Sequence, residues 1–266
     1  MTNNINLRTG GQILVDQLRI HGADTIFCVP GESYLATLDA LYDVQNDIKL
    51  IVCRQEGGAA YMAEAYGKLT GKPGICFVTR GPGAANASLG IHTAHQDSSP
   101  VILLVGQVGR AMMDREAFQE VNFREMYAPL SKWVTQIDDP NRIPEVMSRA
   151  FHVATSGRPG PVVIALPEDM QKEKAPVNDA LRYKPINPAP PPESMLQLEK
   201  MLNDSKQPFV ILGGSGWTQN SCNDFILFVE NFNLPVGAAF RRQDLIDNRH
   251  PNYAGDVGLG ITPPFA

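Results

Sequence analysis

The stretch Cys53-Arg54-Gln55-Glu56-Gly57-Gly58-Ala59-Ala60 decides how this chain is read. The run before it, Lys49-Leu50-Ile51-Val52-Cys53, is short and apolar with a β-branched pair, and it reads as a buried strand. The run after it, Gly57 to Leu69, is Ala-rich and spaces Ala59, Met62, Ala63 and Tyr66 at helical intervals before stopping on Gly71-Lys72-Pro73. Glu56 therefore stands where a buried strand hands over to a helix, at the sheet edge where α/β proteins place ligands. A carboxylate buried there is costly unless something binds it. A Glu in a first helical turn, favoured by the macrodipole, is the plainer account. Position alone leaves both open.

Composition narrows the class. The chain has 266 residues, 43% hydrophobic and 19% charged, enough for one large domain and part or all of a second. A formal net charge of −5 with scattered Lys and Arg argues against a nucleic-acid surface. The longest strongly apolar run, Pro100 to Gly106, is too short to span a bilayer. Met1 to Asn6 is polar and lacks the basic start and apolar middle of a signal peptide. Cys28, Cys53, Cys76 and Cys222 show no close pairing and read as small core residues in a reducing compartment. The expectation is a cytoplasmic protein with no membrane and no nucleic-acid partner.

Along the chain, helices alternate with apolar strands. Gly10 to His21 is a helix, Thr25 to Val29 a strand closed by Pro30-Gly31, and Leu35, Leu38 and Leu41 mark a second helix. Ile75 to Val78 is a strand whose turn, Arg80-Gly81-Pro82-Gly83, opens a small-residue helix through Ala94; Pro100 to Val105 is the next strand. A less regular segment leads to a helix over Ile143 to Ala154 and a strand over Pro161 to Leu166. This order predicts a parallel sheet covered on both faces, in a first domain over residues 1–175. From there the prolines, including Pro190-Pro191-Pro192, predict a surface linker over 176–192. A second α/β domain begins at 193 and has about two strands by residue 266, short of an ordinary open sheet.

Four turns then fall at one edge of the first sheet, because each follows a strand: Val29 to Glu32, Arg54 to Ala60, Arg80 to Asn86, and Gly106 to Val108. Their order and spacing closely resemble the pyrimidine-binding domain of thiamine-diphosphate enzymes of the acetolactate synthase family. Further matches are Gly71 to Gly74, Asp97-Ser98-Ser99-Pro100, Ala117-Phe118-Gln119-Glu120, Lys132-Trp133, Ser156 to Pro161 and Leu166-Pro167-Glu168-Asp169. The Gly213 to Gly216 turn and Asn252 to Gly255 suggest the family's central, Rossmann-like domain. The resemblance covers essentially the whole chain.

It implies decarboxylation of a 2-oxo acid, with pyruvate as the leading donor, and transfer of the two-carbon unit to an acceptor. In the family a glutamate, here Glu56, hydrogen-bonds N1′ of the aminopyrimidine so that the ring's amino group can take the C2 proton. Pro30, Gly31, Pro82 and Asn86 would line the pyrimidine pocket, and Phe118 and Gln119 would lie near the reaction centre. Arg158 matches an arginine that contacts FAD in the flavin-containing members. A core aromatic at Phe118 and a surface turn arginine at Arg158 are equally good readings. Mg²⁺ would be bound by a C-terminal diphosphate domain that this chain lacks, so an N-terminal portion of a longer enzyme is expected. Its active site would lie at a homo-oligomer interface. No metal site is assigned here: His92 and His95 are three apart on one helix, without an evident third ligand.

Two positions depart from the family pattern. Gln55 stands where His usually precedes the glutamate, and Glu168 stands where biosynthetic members carry Lys in Leu-Pro-Lys-Asp. The alternatives are a related lyase or decarboxylase acting on another 2-oxo acid or an acyl-CoA, and a non-catalytic cofactor-binding module.

Overall fold

In the computed structural model, which describes residues 7–186, 188–259 and 261, the chain divides after Ile186 into two compact units. The first contains β1 (Arg8–Thr9), α1 (Gly10–Ile20), β2 (Thr25–Cys28), α2 (Leu35–Asp43), β3 (Lys49–Val52), α3 (Glu56–Thr70), β4 (Gly74–Thr79) and α4 (Arg80–Asp97). It continues with β5 (Val101–Gln107), α5 (Phe123–Tyr127), β6 (Trp133–Gln136), α6 (Ile143–Thr155), β7 (Pro161–Pro167), α7 (Glu168–Lys172) and β8 (Lys174–Ala175). Six of these strands form one sheet in the order β3-β2-β4-β5-β7-β6, every pair parallel. This is the α/β fold that the alternating pattern predicts.

Period-two alternation sorts the central strands onto two faces. Ile75 and Phe77 of β4, Ile102 and Leu104 of β5, and Val162, Ile164 and Leu166 of β7 point toward α1 and α6, against Ile13, Leu14, Leu18, Met147 and Phe151. Their neighbours Cys76, Val78, Val101, Leu103, Val105, Val163 and Ala165 face α3 and α4. That second face is built from small residues, Ala59, Ala60, Ala63, Ala84, Ala87 and Ala94. A Cβ placed on Gly90 would come within 2.6 Å of Ala60, so α3 and α4 approach too closely for any side chain there. The Ala and Gly spacing is thus a packing requirement of the helix pair whose N-terminal ends carry Glu56 and Arg80.

The helix ends follow local chemistry. Thr9 and Gln12 form a capping box on α1. Gln55 caps α3, its Oε1 accepting the Gly58 N–H at 2.7 Å, and Gly71 closes that helix at φ 69°.

Several expectations change. The strand before Glu56 is not buried: β3 is an edge strand, with Lys49 and Val52 exposed. A run of mixed Lys, Leu, Ile and Val cannot say on its own whether a second neighbour covers it. Met62, placed on the core face by spacing, points outward, and Glu64 and Gly67 are buried instead. The irregular segment contains β6, a four-residue half-buried edge strand beside β7. Its Thr135 and Gln136 hide it from an apolar-run reading. The expected linker packs on the first unit before it leaves: Val177 and Tyr183 are buried in its core, and the Ala180 N–H donates to Gln17 Oε1 at 3.2 Å.

The second unit contains α8 (Pro192–Asp204), β9 (Val210–Leu212), α9 (Gln219–Asn231), β10 (Val236–Ala239) and β11 (Tyr253–Val257). Its sheet has three parallel strands, in the order β11-β10-β9, where the sequence suggested about two. Met1 to Asn6, Asn187 of the expected linker, and residues 260 and 262–266 of the expected second domain lie outside the described residues.

One buried ring makes the first unit sensitive to acid. His21 is 2% exposed, packs on Phe151 and Tyr183, and accepts the Tyr183 N–H at Nδ1, 3.1 Å away. Burial, with His152 and Arg182 nearby, pushes its pKa down to about 4. In the unfolded chain the ring takes a proton near its ordinary value of about 6.5. Between those values the unfolded state binds a proton that the folded state refuses, so stability falls as pH drops through this window. The urea midpoint is expected to decline from about pH 6.5 toward about pH 4, with a shallower decline in His21→Asn.

Candidate functional site

The parallel register brings the carboxyl ends of β2, β3, β4, β5 and β7 to one edge. Cys28 pairs with Val52 and with Phe77, Thr79 with Gly106, and Gly106 with Leu166. The chain runs from β2 to β3 on one side and returns to β4 on the other, so β2 and β4 flank the switch point where such sheets bind ligands. The turn after β2 carries Pro30 and Gly31, and it presses onto the end of β4. Ser33 Oγ lies 2.8 Å from Thr79 Oγ1, and a Cβ on Gly31 would fall 2.4 Å from the Thr79 side chain.

Glu56 is the first residue of α3 and is half-buried. Across the crevice Asn86, one turn and a half into α4, donates its Nδ2–H to Glu56 Oε2 at 2.9 Å. Oε1 accepts no hydrogen bond among the described residues, and it faces Gly83, whose missing side chain leaves the approach open. The structure therefore brings together Glu56, Asn86 and the Gly81-Pro82-Gly83 turn, with Pro30-Gly31 on the adjacent strand end. Gln55, where the family has His, is occupied as the helix cap.

The Ala117 to Glu120 segment reaches the same turn. Gly81 N–H donates to the Gln119 carbonyl at 2.9 Å, and buried Gln107 holds Val121 O through Nε2 at 2.9 Å. Glu120 accepts the amides of Asp114 at 2.7 Å and Ala117 at 3.0 Å, which hold its carboxyl below the usual carboxylate range and shape the loop. Phe118 is 76% exposed, so it is not a core aromatic. Gln119 has φ 65°, a left-handed conformation that costs free energy for a non-glycine residue. A strained, tethered loop thus presents an exposed aromatic ring and an amide beside the α4 N-terminus.

At the end of β7, Glu168 and Asp169 each hold an arginine. Asp169 takes Arg110 Nε at 2.8 Å, and Arg110 also reaches Asp138 O and Glu173. Glu168 takes Arg80 Nη2 at 2.9 Å. The sequence shows Arg80 only as part of a turn; the signal for its pairing is an arginine directly after a buried strand together with an acidic residue where biosynthetic members carry Lys.

Arg158 lies elsewhere. Its Nε donates to Ser98 Oγ at 2.7 Å and its Nη2 to the carbonyls of His95 and Gln96, both at 3.2 Å, at the C-terminus of α4. α4 has 18 residues, about 27 Å, so Arg158 stands at the opposite end of that helix from Arg80. Lys132 acts alike on α6, donating to Val153 O and Ser156 O. Among the described residues, no three His, Cys, Asp or Glu side chains converge as a metal would require, and no helix is long and apolar enough to cross a membrane.

The family model described as "Thiamine pyrophosphate enzyme, N-terminal TPP binding domain" matches residues 8–126, and "Thiamine pyrophosphate enzyme, central domain" matches 196–266. Thiamine pyrophosphate is the diphosphate named above. The chain is 34% identical over 260 residues to an acetolactate synthase of Arthrospira platensis, covering 94% of this chain and 45% of that protein. It is 35% identical to a probable acetolactate synthase large subunit of Methanocaldococcus jannaschii, over 94% and 43%, and 37% identical to the chloroplastic acetolactate synthase of Arabidopsis thaliana, over 87% and 35%. The chain spans less than half the length of these curated relatives.

The cap at the far end of α4 gives a direct test. Arg158→Ala removes three charge-assisted hydrogen bonds from an exposed helix end and is expected to cost about 1 kcal/mol. The reading is a lower urea midpoint with an unchanged slope.

Proposed function

We propose that this chain, which belongs to the thiamine pyrophosphate enzymes, provides the aminopyrimidine-holding half of a cofactor site in an acetolactate synthase-like enzyme. The observation that carries the proposal is the Glu56 carboxylate: one oxygen is fixed by Asn86, and the other is open toward Gly83 at the switch point of a parallel sheet. A flat ring carrying a hydrogen-bond acceptor-donor edge fits there, because the lining is backbone and small residues.

Glu56 would hold N1′ of the aminopyrimidine by donating a proton from Oε1, and Asn86 keeps the carboxyl group turned into the crevice. Pro30, Gly31 and Pro82 supply backbone walls. When bound, thiamine diphosphate supplies the acidic C2–H whose loss makes a nucleophile for a 2-oxo acid. Gln119 offers an amide to the substrate, and Phe118 an apolar wall that excludes water. Glu56 remains half-exposed in the single chain, which supports a second subunit or domain closing the site, with Mg²⁺ held by that closing part. We infer a homo-oligomer as the assembly. Arg158 already holds three acceptors with its guanidinium, so flavin contact through it is the weakest part of the resemblance, and we assign Arg158 to the α4 cap. The four free thiols fit a reducing compartment such as the cytoplasm.

The acceptor is not inferred to be that of branched-chain biosynthesis. Glu168, placed where biosynthetic relatives carry Lys, holds Arg80, and this supports a related lyase or transferase with a different second substrate.

The experiment is C2 proton exchange of thiamine diphosphate in the assembled holoenzyme. Glu56→Gln is expected to abolish exchange while the fold is retained. Exchange near the parent rate in that variant would sink the assignment.

A further inference from the structure

Arg80 is the charged group near the site that carries a buried, unpartnered donor. Its side chain is only 13% exposed, its Nε is buried with no hydrogen-bond partner, and its φ is 36°. Among the described residues its guanidinium makes one hydrogen bond, Nη2 to Glu168 Oε2. Arg110, one strand away, is the contrast: Nε, Nη1 and Nη2 are all bonded, to Asp169, Asp138 O and Glu173. A guanidinium offers five donors in a planar fork. Burying its Nε without a partner costs free energy that a purely structural tether would avoid. Arg110, tying the same strand end, shows how such a tether is made.

The surroundings say where the idle donors matter. Gly81, the next residue, is bonded to the Gln119 carbonyl, and Gly83 faces Glu56. Arg80 therefore opens the same turn that touches the strained loop through Gly81 and the Glu56 carboxylate through Gly83, and its side chain reaches Glu168 at the end of β7. Glu168 is the more accessible partner, 36% exposed in its side chain, at the start of the short helix α7. A carboxylate of that exposure can be exchanged for another anion at small cost.

We propose that Arg80 recognises an anionic group on the substrate, a carboxylate, sulfonate or phosphonate remote from the reacting carbonyl, and that Glu168 holds the guanidinium until that group replaces it. The inference rests on the cofactor-site reading above and deepens it by naming the substrate class. The anion is not the carboxylate that leaves: clamping a group that must depart as neutral CO₂ stabilises the ground state over the transition state. Binding energy from a remote anion carries no such penalty and positions the reacting carbonyl. The Arg80–Glu168 pair also rejects uncharged analogues, because they leave Glu168 in place and gain nothing from the cation.

The test uses the assembled holoenzyme with thiamine diphosphate and Mg²⁺, and matched substrates that differ only at the remote end. The donors are 2-oxopentanoate and 2-oxoglutarate; the acceptors are butanal, succinate semialdehyde, 3-sulfopropanal and 3-phosphonopropanal. The parent is expected to prefer an anionic member, and the preferred headgroup identifies the anion. Arg80→Gln is expected to lower the anionic-to-methyl ratio of kcat/KM tenfold or more, mainly through KM. Arg80→Lys should retain part of the ratio, and Glu168→Gln should raise it by removing the competing carboxylate. A parent without preference for any anionic member, a ratio unchanged in Arg80→Gln, or equal losses for charged and uncharged substrates would overturn the proposal. C2 exchange, which needs no substrate, is read in the same preparations. Its absence in the parent overturns the cofactor reading itself, whereas normal exchange with an unchanged ratio overturns the role of Arg80 alone.

Discussion

Parallel pairing is the constraint from which the rest of the first unit follows. Hydrogen bonding β2 to β3 and β4, then β4 to β5 and β5 to β7, all in one direction, obliges every strand to finish at the same edge. Each return must then cross a face as a helix or long segment, which buries both sides of the sheet and demands apolar residues through the middle of β4, β5 and β7. Five turns that are distant in sequence become neighbours without any contact chosen for that purpose. Chemistry can be written into those turns because the sheet is rigid beneath them.

The two accounts of Glu56 are compatible once its environment is known. Its carboxylate sits in the first turn of a helix 15 residues long, where the positive end of the macrodipole favours a negative charge. The same position turns one oxygen toward Asn86 and leaves the other facing the crevice. The helix start and the crevice therefore share this one side chain. The small residues between α3 and α4 let those helices approach until Asn86 and Glu56 can touch.

Most of the sheet was legible because β4, β5 and β7 have apolar middles, and because β4 and β5 run into turns that carry Gly. β3 and β6 were misjudged or missed for one physical reason. Each lies at an edge, and the burial of an edge strand is decided by a neighbour absent from its own sequence. The turns bearing Glu56, Pro30 and Pro82 were found because strand ends are local signals. Asn86 was placed in the pocket, but its bond to Glu56 depends on helix packing. Arg80 and Arg158 show the limit more clearly. Both are arginines beside Gly-Pro turns, yet one opens α4 and the other closes it, and only the direction of β4 and β7 separates them.

The short ladder between β1 and β8 pairs Arg8 with Ala175 and Thr9 with Lys174, and Arg8 also reaches Asp179 at 2.7 Å. The first and last segments of the unit are thereby held side by side, across nearly its whole length. During vectorial synthesis α1 waits, without its final partners, until residues as distant as Tyr183 have left the ribosome. Contacts of such sequence separation slow folding. The unit becomes fully closed only when its two ends meet.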